Sequence, residues 1–100
     1  MNEKEDLLPV MLALLATSAR AVFPPDELFS LIAASGDGSK QVLAYNSCTG
    51  LRTQSEIAEL TGYDRGNFSR LVNRWIEAGV VFRLANGNLR FLYLLPDKRK

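Results

Sequence analysis

The sequence predicts a mainly α-helical fold that closes with a C-terminal β-hairpin. Three observations carry this expectation. Thr53-Gln54-Ser55-Glu56 has the spacing of a capping box, in which the threonine hydroxyl and the glutamate carboxylate satisfy each other's backbone donors at a helix start. Phe68, Leu71, Val72, Trp75 and Ile76 recur at i, i+3, i+4, i+7 and i+8, a buried helical stripe. After Gly79 the apolar period shortens to two, and Asn86-Gly87 is a strong hairpin signal because both residues tolerate positive φ.

The elements follow in order. A first helix is expected from about Asp6 to Val22, with Asp6 as its cap and Pro9 in the first turn, where backbone donors lack partners anyway. Pro24 and Pro25 end it. Pro25, Asp26 and Glu27 open a second helix, where the dipole favours acids, and Leu28, Leu31 and Ile32 share one face. Gly36-Asp37-Gly38 reads as a loop. Ser39 caps a third helix with Val42, Leu43 and Tyr45 turned inward, and Thr49-Gly50 breaks it.

The next two helices form a tight pair. Ile57, Ala58 and Leu60 give the short capped helix an apolar stripe, and Gly62 stops it. Asp64 is the N-cap of a helix running to about Ala78, and Tyr63 and Phe68 have the spacing of a hydrophobic staple. In the hairpin, Val80, Phe82 and Leu84 alternate with Val81, Arg83 and Ala85. Leu89, Phe91, Tyr93 and Leu95 continue on the return strand, and Pro96 ends it. A two-residue turn would set Arg83 opposite Arg90 as one basic patch. The expected organisation is one domain over 1–100: N-terminal helices over 1–38, a core over 39–95 and a polar tail over 96–100.

Composition narrows the function classes. A chain of 100 residues with 47% hydrophobic and 23% charged residues suits one folded domain. Its net charge of +1 hides an asymmetry. Residues 1–51 hold three basic and six acidic residues, whereas 52–100 hold nine basic and five acidic, so the second half favours a polyanion. The one cysteine, Cys48, forms no internal disulfide and reads as a small half-buried residue. With no histidine, a metal site is not expected. No catalytic constellation or cofactor motif is present, so no enzyme activity is expected. The apolar run from Leu7 to Ala16 follows acids rather than a basic stretch and is too short for a membrane span, so a soluble, cytoplasmic protein is expected.

Helix, tight turn, helix and hairpin is the order of a winged helix-turn-helix, here with extra N-terminal helices. The stretch TQSEIAELTGYDRGNFSRLVNRWIEAGVV resembles the DNA-binding core of the MarR and ArsR families of transcriptional regulators. The resemblance implies that the helix from Asp64 reads double-stranded DNA in the major groove. It departs from both families elsewhere. MarR proteins dimerise through helices at both termini, but no helix is expected after Leu95, and the ligands of metal-sensing ArsR proteins are lacking.

Burying the Phe68–Ile76 stripe turns Arg65, Gly66, Asn67, Ser69, Arg70, Asn73 and Arg74 outward. Arginine donates bidentately to guanine and asparagine pairs with adenine, while Gly66 permits close approach and Arg74 suits phosphate. Gln54 and Ser55 are expected to hold phosphate across the groove. Arg83, Asn86, Asn88 and Arg90 form the basic wing. Leu8, Met11, Leu12 and Leu15 of the first helix are expected to dimerise the chain, giving a homodimeric repressor on a palindromic operator. The alternative is a winged helix that serves as a protein-interaction module in a larger assembly, with the first helix as its docking element.

Overall fold

The computed structural model describes residues 3–33 and 38–96, and the side chains of these except residues 3–6 and Leu8. The elements are α1 (Glu3–Val22), α2 (Pro25–Ile32), α3 (Ser39–Asn46), α4 (Gln54–Thr61), α5 (Arg65–Glu77), β1 (Val81–Arg83) and β2 (Leu89–Phe91). The expected loop at Gly36-Asp37 and the tail from Asp97 lie outside the described residues.

The helix ends follow their chemistry. Thr53 Oγ1 accepts from the Glu56 amide at 3.2 Å, and Glu56 Oε1 accepts from the Thr53 amide at 2.8 Å, completing the capping box. Gly62 closes α4 at φ 77°, a left-handed geometry that glycine adopts without strain. Asp64 Oδ2 accepts from the Asn67 amide at 3.0 Å, and the Tyr63 and Phe68 rings stack at 5.3 Å as the staple requires.

Two helix starts differ from the expectation. α1 begins at Glu3, so Asp6 lies within it and Pro9 stands in its interior, with no N–H to give the carbonyl four residues back. α3 is preceded by Gly38 in the left-handed region at φ 79°, which makes Ser39 its first helical residue rather than its cap. Leu43 of α3 is 55% exposed instead of inward, while Ala44 and Tyr45 are fully buried.

The core joins all these helices to the hairpin. Leu28 and Ile32 enter from α2, Val42 and Tyr45 from α3, Ile57 and Ala58 from α4, and Phe68, Val72 and Trp75 from α5. The Trp75 ring stands nearly perpendicular to those of Tyr45 and Phe68, at centroid distances of 5.9 and 6.2 Å, a favoured aromatic arrangement. Its indole nitrogen has no hydrogen-bond partner among the described residues. Side chains of α3 clamp the chain as it leaves β2. Tyr45 Oη donates to the Tyr93 carbonyl at 2.7 Å and accepts from the Tyr93 amide. Asn46 bonds both backbone groups of Leu95 at 2.9 Å. Tyr93 Oη donates to the Phe23 carbonyl, tying this exit to the junction of α1 and α2.

The hairpin departs from the register of a two-residue turn. β1 and β2 are antiparallel with Val81 opposite Phe91, Phe82 opposite Arg90 and Arg83 opposite Leu89. Val80 is buried in the turn after α5, its amide bonded to the Trp75 carbonyl, before the strand begins. The inward positions therefore start at Val81, and Phe82 and Leu84 face out at 44% and 38% exposure. Cys48–Arg52 lies along the far side of β2 as a third rung, through Phe91 N–H to Cys48 O, Gly50 N–H to Leu89 O and Leu89 N–H to Arg52 O.

Cys48 is fully rather than half buried, because the rung it opens lies under β2. Burial pushes its thiol up to about 12 from an ordinary value of 9.0. The unfolded chain thus releases this proton above pH 9 while the folded chain keeps it, so stability is full below pH 9 and is lost as pH rises toward 12. Urea denaturation is expected to show a fall of about 1.4 kcal/mol per pH unit from this group between pH 9 and 11, absent in Cys48→Ala. Equal slopes in the two chains would contradict the assignment.

Candidate nucleic-acid interface

α5 presents two faces of opposite chemistry. Phe68, Val72 and Trp75 are fully buried, and Leu71 and Ile76 are half-buried at the margins. A hundred degrees of turn per residue places Gly66, Arg70 and Asn73 on the side away from that stripe, flanked by Asn67 and Arg74. All five are exposed. Arg65 is exposed in the first turn, and Ser69 is half-buried at the edge of the core, so it belongs to the rim of this face. Glu77 shares the outward face one turn beyond Asn73, which confines the cationic part to the first three turns.

Two of these side chains hold each other. Arg70 donates through Nη2 to Asn67 Oδ1, one helical turn apart. Asn67 keeps its amide protons and one lone pair free for another partner, and Arg70 keeps its remaining donors. The pair presents polar donors together along the outward side of α5. At Gly66 a Cβ would stand 3.3 Å from Asp64 Oδ2, the oxygen that caps the helix, so a side chain here would press on the cap.

The wing residues divide. Arg83 donates through Nη2 to Gln54 Oε1 at 2.9 Å, linking β1 to the first residue of α4. Ser55 is exposed beside Gln54. Arg90 is not opposite Arg83. The loop holds three residues, Ala85–Gly87, with the Gly87 amide bonded to Leu84 O and the Leu84 amide to Asn88 O. Gly87 takes φ 91°, the left-handed position that follows a type I turn in such loops. The extra residue moves the register by one, and a one-residue shift turns a side chain to the other face. Arg90 consequently pairs with Phe82 on the outer face, where it donates to Thr49 O at 2.9 Å and lies over the Phe91 ring. Asn86 Oδ1 accepts from the Asn88 amide, and Asn88 Nδ2 donates to Gly50 O, so both serve the turn itself.

Two cations that the sequence reading passed over stand beside the helix pair. Lys40 Nζ donates to the Gly62 carbonyl at 3.2 Å and lies over the Tyr63 ring, bridging α3 to the turn between α4 and α5. Arg52, one residue before the α4 cap, is exposed and reaches Ser47 O. Neither lies on a periodic stripe, so only the folded chain brings them here.

With this geometry in view, the MarR family model matches residues 42–88, from the middle of α3 to the wing. Over this segment, just under half of the chain, the protein is similar to the MarR family, and the helix pair and hairpin there have the order of a winged helix. MarR proteins are DNA-binding transcriptional regulators, and the match covers both helices of the pair, the turn between them and β1. Of the two families that the motif resembles, it falls on MarR. No curated protein and no solved structure gives a significant match to the chain. Among the described residues no helix is long and apolar enough to cross a membrane.

The wing turn depends on one backbone conformation. Gly87→Ala forces a side chain into φ 91° and is expected to lower stability by about 1 kcal/mol. Amide exchange at Leu84 and Gly87 should quicken more than exchange in α5. Unchanged stability and exchange would show that the three-residue loop is not required.

Proposed function

We propose that this MarR-type winged helix binds double-stranded DNA sequence-specifically, with α5 as the recognition helix. The outward Arg70–Asn67 pair on a helix whose other face is locked in the core carries the reading. Arginine and asparagine are the side chains that pair bidentately with guanine and adenine in the major groove. Arg65, Gly66 and Asn73 extend the base-facing row, and Ser69, Arg74, Gln54 and Ser55 hold phosphate at its edges. Arg83 acts from the wing, with Asn86 and Asn88 shaping the turn that carries it. Arg90 shapes the sheet instead. Lys40 and Arg52 add backbone contacts.

The chain acts in the cytoplasm as a homodimeric repressor that occupies a near-palindromic operator. Two recognition helices about 34–36 Å apart then meet successive major grooves. Met11, Leu12 and Leu15 of α1 support the dimer by their exposure; the Leu8 side chain lies outside the described ones. A protein-docking module is the second reading, favoured by the same apolar helix. Salt-sensitive, arginine-dependent DNA affinity separates the two.

Selection of bound fragments from random duplexes supplies the cognate site. Fluorescence anisotropy should then show Arg70→Ala and Asn67→Ala each costing about 1–3 kcal/mol there and relaxing base preference. Binding unchanged in both variants would remove α5 from the mechanism.

The two wing arginines should behave differently. Arg83→Ala is expected to lower the slope of log K against log salt by about one and to weaken all sequences alike, whereas Arg90→Ala leaves the slope unchanged. Equal effects from both would place Arg90 on the phosphate backbone and refute the division drawn from the hairpin register.

A further inference from the structure

The wing carries its cation where it meets α4, not at its tip. From Leu84 to Asn88 the hairpin has no lysine or arginine. Asn86 Oδ1 and Asn88 Nδ2 are both taken up by the turn. Arg83 ends β1 opposite Leu89, and Leu89 and Val81, two residues before Arg83, are fully buried. Side chains at opposite and at alternate positions share a face of a sheet. Arg83 therefore leaves the strand on the core side, at the margin where α4 begins. There its Nη2 donates to Gln54 Oε1 at 2.9 Å.

The backbone brings the two residues together before their side chains meet. The Leu89 amide donates to Arg52 O, and the capping box fixes Thr53, so Gln54 follows at a set place beside β1. Gln54 is half-buried and Arg83 is exposed. The link uses one Arg83 donor and the Gln54 carbonyl. The Gln54 amide nitrogen shares a carbon with that oxygen. Its N–H groups and the remaining N–H groups of Arg83 thus leave from neighbouring atoms, close enough for the oxygens of one phosphate. A guanidinium whose plane is already held loses less freedom when it takes such a partner.

We propose that Gln54 is a positioning residue for Arg83, and that the two grip a single DNA phosphate where the wing meets α4. The inference rests on the DNA binding proposed above and names how its wing contact is built. The choice of side chain fits the task. A carboxylate in place of Gln54 would hold the guanidinium more tightly but cancel the charge that a phosphate seeks. A neutral amide aims the guanidinium and leaves its charge intact. Because α4 packs on α5, the grip is placed relative to the outward row of α5 rather than by the conformation of the loop.

A double-mutant cycle read by fluorescence anisotropy on the selected duplex tests the clamp. Gln54→Ala should weaken cognate and scrambled duplexes alike, roughly three- to tenfold, but by no more than about twofold in the Arg83→Ala background. In a scan of duplexes that each carry one neutral methylphosphonate, the same substituted position should abolish the effect of either variant. In the free chain, the heteronuclear NOE of the Arg83 Nε–H group should fall in Gln54→Ala and be kept in Gln54→Glu, which retains the acceptor. Additive losses, two different phosphate positions, or an Arg83 NOE indifferent to Gln54→Ala would each overturn the proposal. Arg70→Ala separates this from the reading of α5. Its full effect beside additive losses at Gln54 and Arg83 refutes the clamp alone, whereas a chain without affinity for any duplex refutes both.

Discussion

Trp75 fixes the inner face of α5 against the rest of the molecule. Its ring meets Phe68 one side and Tyr45 of α3 on the other, and the Tyr45 hydroxyl holds both backbone groups of Tyr93 after the hairpin. A single chain of contacts thus runs from α5 through α3 to the exit of β2. The Tyr45 hydroxyl is buried by the same packing, which raises it to about 12 from 10.0 and keeps it a donor at any ordinary pH. A helix locked on this side has only one face to offer a partner, and that face bears Arg70, Asn67 and Asn73. Precision at the outward face is supplied by rigidity at the inward one.

The hairpin shows how little separates a basic wing from a divided one. A two-residue loop would have put both arginines on one face. The three-residue loop sends Arg83 toward Gln54 and Arg90 toward Thr49. The same shift exposes Phe82 and Leu84, which makes the outer face of the wing apolar. One surface of the sheet therefore suits a polyanion at its rim, and the other suits an apolar partner. Gly50 sits beneath Leu84 and Arg90, and its φ of 93° lets the third rung turn toward α4.

α1 stands apart from the matched segment. It reaches the core through alanines, whose small side chains bring the backbone close but bury little area. Its larger leucines remain mostly in water. Packing within the chain therefore holds α1 through its second half, while the large apolar side chains of its first half stay exposed.

The helix pair was legible in the sequence because its signals are local. A threonine three residues before a glutamate, a glycine after two turns and an apolar residue before a capping aspartate act within one or two turns of the chain. α4 and α5 accordingly end where the caps place them. The outward row of α5 followed from the buried stripe, since helical geometry leaves the remaining residues no other side. The phase of β1, the burial of Cys48 and the places of Lys40 and Arg52 were not legible. Each depends on a partner distant in sequence: the register against β2, the third rung from Cys48 to Arg52, and the turn at Gly62. A strand's pattern of period two reads the same from either face, so the sequence alone determined that Val81–Arg83 would be a strand. Only the tertiary structure decided which of its faces met the core, because that choice is made by loop length and by Val80 packing into the turn after Trp75.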